Sequence, residues 1–237
     1  MLAIIQSRYD SSRLPGKALS LLGKRSILGR TLDRLKNSDE LQSIVVATSD
    51  LHTDQAIVEH TKELSTDVFR GPLNDVGTRL QRASQAHDAE AFVRISGDSP
   101  FIDWRIVDHA IHLFREAKPD LVSNIFHRTF PKGQSVEIIK TDKLAEICRS
   151  HRTEEDKEHV TPYFYKHFNE FRILSFTSGS DSGSSRQCSA CSSGWTDRST
   201  QAPWSMRSQT GFAKNSTMPA RRSTWRFMLI CWQIGTL

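Results

Sequence analysis

The chain has 237 residues with 32 Lys and Arg against 27 Asp and Glu, a formal net charge of +5, and it is long enough to bury one sizeable core with an appendage. No segment is apolar over the roughly 20 residues a bilayer span needs, and the N-terminus lacks a charged stretch followed by an extended apolar one, so a cytoplasmic protein without a membrane partner is expected. The cationic excess does not argue for nucleic acid: seven cations lie beyond residue 177 against only Asp181 and Asp197, leaving 25 cations and 25 acids before that point.

Strand and helix signals alternate through the first 177 residues, which predicts an α/β fold with a mostly parallel sheet and helices on both faces. The apolar run at residues 2–7 reads as the first strand. Ser26 is placed to cap a helix from Ile27 to Lys36, whose apolar positions Ile27, Leu28, Leu32 and Leu35 are helically spaced. Residues 43–48, apolar on both faces, read as an interior strand. Thr53 or Asp54 opens a helix to Leu64, and Asp67 to Phe69 is a short strand. Asn74 or Asp75 opens a helix to His87, and Ala91 to Ile95 is a fourth strand ending at Gly97-Asp98. A helix is expected at 104–117 and a strand at 121–123. The texture changes near Asn124, and Arg128 to Gly133 reads as a loop before a strand at 136–139. A helix from Thr141 or Asp142 to Arg149 follows, then one at 153–168 that Pro162 kinks or breaks. Phe171 to Phe176 is the last expected strand.

Composition changes abruptly near residue 178. Three of the four cysteines (Cys188, Cys191, Cys231) and four of the five tryptophans (Trp195, Trp204, Trp225, Trp232) lie after residue 177, and all nine histidines before it. We therefore divide the chain into a domain at 1–177 and an irregular Ser-, Arg- and Trp-rich tail at 178–237, expected to be disordered. Cys188-x-x-Cys191 has zinc spacing, but the tail holds no His and only Cys231 besides, so no zinc site is expected.

The chemistry concentrates in the loop that follows the first strand, Arg8-Tyr9-Asp10-Ser11-Ser12-Arg13-Leu14-Pro15-Gly16-Lys17. Three cations (Arg8, Arg13, Lys17) and two hydroxyls (Ser11, Ser12) share one turn, and Gly16 permits close backbone approach. A bare basic loop of this kind is also an ordinary turn. Its position at the carboxyl end of a strand, where open α/β sheets bind ligands, argues for an anion.

Arg-x-x-Ser-Ser-Arg-Leu-Pro-Gly-Lys resembles the signature of cytidylyltransferases that make CMP-activated sugars, with the spore coat polysaccharide biosynthesis protein F group nearest and the CMP-Kdo synthetases next. Four later segments are similar in the same order: Ile44 to Asp50, Val68 to Gly71, Arg94 to Pro100 with Ile102-Asp103, and Glu158 to Tyr163. The likeness ends near residue 177. It implies a Rossmann-like nucleotide-diphospho-sugar transferase fold in which the segment from about residue 124 to 135 is a small arm over the sugar site and at a dimer contact, CTP and a sugar or sugar acid as partners, magnesium as cofactor, a role in surface polysaccharide biosynthesis, and a homodimer.

The resemblance also assigns residues. Arg13 and Lys17 are expected on the triphosphate, joined by Arg8, Ser11, Ser12 and Gly16. Asp98 is expected on the metal, with Ser96 and Gly97 beside it, although one Asp after a strand also serves as a turn former. Base selection falls to Ala47, Thr48, Ser49 and Asp50, with Arg70 and Asp75 on the same side. Arg94 either approaches the nucleotide or serves as an ion-pair partner. The acceptor side is assigned to Arg128, Gln134, Glu137, His159 and Tyr163. Similar enzymes supply a second metal carboxylate from an Asp-x-Pro-x-Asp segment, and this sequence has none. That departure, at the composition break, leads us to expect a reading-frame shift near codon 178 and raises a noncatalytic nucleotide-binding protein as the alternative.

Overall fold

The computed structural model describes residues 1–10, 14–150 and 152–178. The expectations for the tail, for Cys188 and Cys191, and for the frame shift lie outside them, as do those for Ser11, Ser12 and Arg13.

The described chain begins with β1 (Leu2–Gln6), a 3-10 turn at Lys17–Leu19, and a small hairpin of β2 (Leu21–Leu22) and β3 (Arg25–Ser26). The alternation then runs α1 (Ile27–Leu35), β4 (Ser43–Ser49), a 3-10 turn at His52–Asp54, α2 (Gln55–Glu63), β5 (Asp67–Gly71), α3 (Val76–Ala86) and β6 (Ala91–Ser96). The remainder comprises α4 (Trp104–Ala117), β7 (Leu121–Ser123), β8 (Glu137–Lys140), α5 (Thr141–Arg149), α6 (Glu154–Glu158), α7 (Val160–Lys166) and β9 (Ile173–Ser175).

Seven of these strands form one sheet in the order β5-β4-β1-β6-β8-β7-β9, in which only β8 runs against its neighbours. The chain first builds outward from β1 to β4 and β5, then returns to place β6 on the other side of β1. The direction of winding therefore reverses between β1 and β6, the point at which open α/β sheets form a ligand crevice at the carboxyl ends of their strands.

Period-2 alternation sends side chains to two separate cores. Ala3 and Ile5 pack with Leu28 and Leu32 of α1, Ile57 of α2, and Val107 and Ile111 of α4 on one face. Leu2 and Ile4 pack with Leu80 of α3, Leu144 of α5 and Phe164 of α7 on the other. Each Leu, Ile, Val or Phe side chain among them, when fully withdrawn from water, contributes about 1.5–3 kcal/mol.

Local signals account for most element ends. Ser26 caps α1 by accepting the Gly29 N–H at 2.9 Å, and Asp75 caps α3 by accepting the Thr78 N–H at 2.8 Å. The predicted helix over 153–168 is two helices that break at His159, not at the proline itself. Pro162 has no N–H to give the carbonyl four residues back at Glu158, and its ring crowds that carbonyl, so the break falls one turn upstream. Thr153 and Asp156 close a reciprocal capping box at the start of α6. The β2–β3 hairpin was not foreseen. Among the described residues, no helix is long and apolar enough to cross a membrane.

Candidate active site

The loop after β1 is closed on itself. Gly16 donates its N–H to the Tyr9 carbonyl at 2.8 Å and adopts φ +69°, where a Cβ would meet the Tyr9 ring at 3.1 Å. Glycine is needed here for both the backbone angle and the space. Lys17 follows at the start of the 3-10 turn, and its Nζ reaches Asp98 Oδ2 at 2.9 Å.

Asp98 stands just beyond β6. Gly97 donates its N–H to the Gln6 carbonyl at 2.8 Å, and a Cβ on Gly97 would lie 2.8 Å from Ser7 Cβ. The ends of β1 and β6 thus touch, which sets Asp98 against the β1 loop. Ser96 Oγ donates to Asp98 Oδ1 at 2.6 Å. Burial works to raise the Asp98 carboxyl, but the bonds from Ser96 and Lys17 and the lysine charge outweigh it and hold the group below the usual carboxylate range. The side chain remains 47% exposed. It is a charged carboxylate at an open crevice with a cation beside it.

The wall formed by β4 differs from a surface of free hydroxyls. Ala47, Thr48 and Ser49 are fully buried. Thr48 Oγ1 and the Ser49 N–H both donate to Asp54, while the exposed Asp50 gives its N–H to the Gly71 carbonyl at 2.9 Å. Arg70 straps this segment from outside, donating to the carbonyls of Ser49 and Leu51 at 3.1 and 2.8 Å. Asp75 holds Arg152 through both oxygens, at 2.9 and 2.8 Å, besides capping α3.

Arg94, expected either on the nucleotide or in an ion pair, takes the ion pair: it meets Glu137, expected on the acceptor, at 2.6 Å in a largely buried contact. They sit in register across β6 and β8. Arg94 also donates to Gln6 at 2.9 Å and to Thr161 at 3.1 Å, and Tyr165 donates its hydroxyl to Glu137 at 2.9 Å. Burial first, and then the Glu137 charge, push the Tyr165 phenol up, so it stays a donor. The junction of α6 and α7 reaches the loop after β1 as well, because Glu158 pairs with Arg8 at 2.9 Å.

The remaining acceptor candidates do not gather with these. Gln134 is buried and binds the Asp103 N–H and the Phe101 carbonyl, fastening the arm to the segment before α4. Tyr163 stacks on His167 with centroids 4.3 Å apart. Arg128 and His159 are exposed. Sequence reasoning missed Gln6, Asp54, Arg79 and Tyr165. A polar residue ending the apolar β1 run was the one available signal for Gln6. Arg79 gives none, yet it is only 2% exposed and donates to the carbonyls of Pro72 and Leu73. Burial pushes its guanidinium down to about 10.

Among the described residues no cluster of three or more His, Cys, Asp or Glu side chains is arranged to hold a metal by protein ligands alone. Asp98, ionised and half exposed, suits instead a magnesium ion shared with substrate phosphates, which that ion accepts through one or two carboxylates. A separate surface cavity of about 340 Å³ lies at the amino end of the sheet, lined in part by Ser43, Ile44 and Asp67, away from all these groups.

Comparison with known proteins bears on the same region. A family model described as cytidylyltransferase matches residues 2–188. The chain is 32% identical over 178 residues to the spore coat polysaccharide biosynthesis protein SpsF of Bacillus subtilis, covering 73% of each. It superposes on a cytidylyltransferase from Leptospira borgpetersenii with a TM-score of 0.71 and 33% identity, covering 74% of this chain and 75% of that one. A CMP:2-keto-3-deoxy-manno-octonic acid synthetase complexed with CTP aligns at a TM-score of 0.58 over 74% of this chain and 89% of that one, and at 18% identity this likeness shows the fold alone.

Proposed function

Because the chain belongs to the cytidylyltransferase family, we propose that it transfers CMP from CTP to a hydroxyl of a sugar or sugar acid, releasing pyrophosphate, in the assembly of a surface polysaccharide. The observation that carries this reading is the meeting of Lys17 and Asp98 at the point where the sheet reverses its winding.

In the proposed reaction the acceptor hydroxyl gives up its proton to solvent, its oxygen bonds to the α-phosphorus, and the bond from that phosphorus to the bridging oxygen breaks. Pyrophosphate leaves with the electron pair. Such a transfer needs charge neutralisation and alignment more than covalent help. Lys17 and Arg8, with Arg13, Ser11 and Ser12, supply the positive and donor groups, and Gly16 lets the backbone approach. Asp98 would hold magnesium, which when bound offsets phosphate charge. Lys17 must trade its bond to Asp98 for one to phosphate, so substrate entry rearranges this pair.

On the base side, Asp50, Arg70 and Asp75 line or strap a wall whose inner residues Ala47, Thr48 and Ser49 are committed to the protein itself. On the acceptor side, Arg128, His159 and Tyr163 are proposed to meet the sugar, with Gln134 and the Arg94–Glu137 pair supporting the floor. A homodimer places the arm at 124–135 near a second copy.

The reading is tested by magnesium-dependent pyrophosphate release from CTP with a panel of sugars and sugar acids. Acceptor-dependent release supports it. One sequence fact favours a second reading: no Asp-x-Pro-x-Asp segment supplies another metal carboxylate. Tight CTP binding with no release for any acceptor would favour that reading, a nucleotide-binding protein without turnover.

A further inference from the structure

Asp54 is 1% exposed and lies outside every motif that marks the crevice. Its Oδ1 accepts the Tyr9 N–H at 2.6 Å, while its Oδ2 accepts the Thr48 hydroxyl at 2.8 Å and the Ser49 N–H at 2.7 Å. One carboxylate therefore joins the end of β4 to the first residues of the phosphate loop. The same 3-10 turn makes a second tie, since Thr53 Oγ1 donates to Asp10 Oδ2 at 3.0 Å. Asp10 is thereby engaged on the turn.

The tie continues across the site. Tyr9 receives the Asp54 bond on its N–H and the Gly16 bond on its carbonyl at 2.8 Å; Lys17 comes next in the chain and meets Asp98 at 2.9 Å. A contiguous path thus runs from β4, through the loop after β1, to the end of β6. We infer that Asp54 is a positioning residue that couples the nucleotide wall at β4 to the triphosphate loop, fixing where Lys17 stands; this rests on the reading of that loop given above.

Both oxygens are needed. A carboxylate accepts on each side, whereas an amide has one accepting and one donating end. In Asp54→Asn the amide oxygen keeps the two donors of β4, and the NH₂ group is left facing the Tyr9 N–H. The substitution therefore cuts the loop tie and spares the strand. Buried Arg79 lends Asp54 a favourable positive field without bonding to it, and that field persists in the variant.

The test is amide hydrogen exchange on the free full-length protein, paired with calorimetric titration of magnesium-CTP. In D54N, amides of residues 9–17 should exchange about tenfold faster while β4 amides keep their protection, and CTP affinity should fall about tenfold. Thr48→Val removes a bond on the β4 side alone and should leave exchange of the loop amides within about twofold. Should D54N fail to fold, Thr53→Val carries the test, since it cuts the Asp10 tie and should speed the same loop amides. Unchanged loop exchange in the folded variant, or loosening spread equally over β1, β4 and the loop, would overturn the inference. Failure of the wild-type protein to bind CTP would count against the functional reading, while the exchange data would still decide the coupling.

Discussion

Lys17 Nζ and Asp98 Oδ2, separated by 81 residues of sequence, lie 2.9 Å apart. The contact joins the loop after β1 to the end of β6 across the reversal point of the sheet. Lys17→Ala should lower kcat/KM for CTP by about 10²–10³, the range for losing one charged donor to a developing oxyanion. Steady-state kinetics with CTP varied checks this, and a change within twofold would remove Lys17 from the phosphate site.

The same pair predicts a pH dependence. The Asp98 carboxyl sits below its usual value because bonds from Ser96 and Lys17 overcome the effect of burial. A depressed carboxyl stays ionised as pH falls through the ordinary carboxylate range, so Asp98 should contribute no loss of activity between about pH 7 and 5. Its contribution to stability is likewise present above the ordinary value and is lost only as pH drops through the lowered one. In Lys17→Ala burial is left less opposed, and the acid limb of kcat/KM should move to higher pH. A pH profile of the two proteins compares them.

Glu137→Ala leaves the largely buried Arg94 guanidinium without its carboxylate and removes the carboxylate to which Tyr165 donates. Breaking one side of such a pair costs about 3–5 kcal/mol. Denaturant unfolding should show this loss, and Arg94→Met in the same protein should recover part of it because the stranded charge is gone. Additive losses would mean the pair is not a unit.

Gly97→Ala places a methyl group 2.8 Å from Ser7 Cβ and 3.0 Å from the Gln6 carbonyl oxygen, where backbone must yield. Forced repacking of this kind costs about 1–3 kcal/mol. The ends of β1 and β6 should part, so thermal stability and CTP affinity should both fall. Loss of stability with unchanged affinity would show that their close approach does not shape the crevice.

Much of this arrangement was legible in the sequence because it rests on short-range rules. Apolar runs mark β1, β4 and β6, and Ser26 and Asp75 announce the helices they cap. Pro162 announced a break, though not that its effect would appear one turn earlier. Other features depend on partners far away in the chain. Asp54 reads locally as a residue opening a helix, and nothing near it reveals Tyr9. Thr48 and Ser49 are expected at the base, and only the fold shows them buried against that carboxylate. An ion pair was one of two expectations for Arg94, but its partner Glu137 could not be named, because their pairing exists only once β8 lies antiparallel on β6. The β2–β3 hairpin has strands of two residues each, too short for any alternation to register.

The most direct test of the account is pyrophosphate release from each of the four ribonucleoside triphosphates, with magnesium and a panel of sugar and sugar-acid acceptors. The account predicts release from CTP that requires both magnesium and an acceptor and that falls sharply in Lys17→Ala and Asp98→Asn. Release favouring another nucleotide, or release that persists unchanged in those two variants, would contradict it.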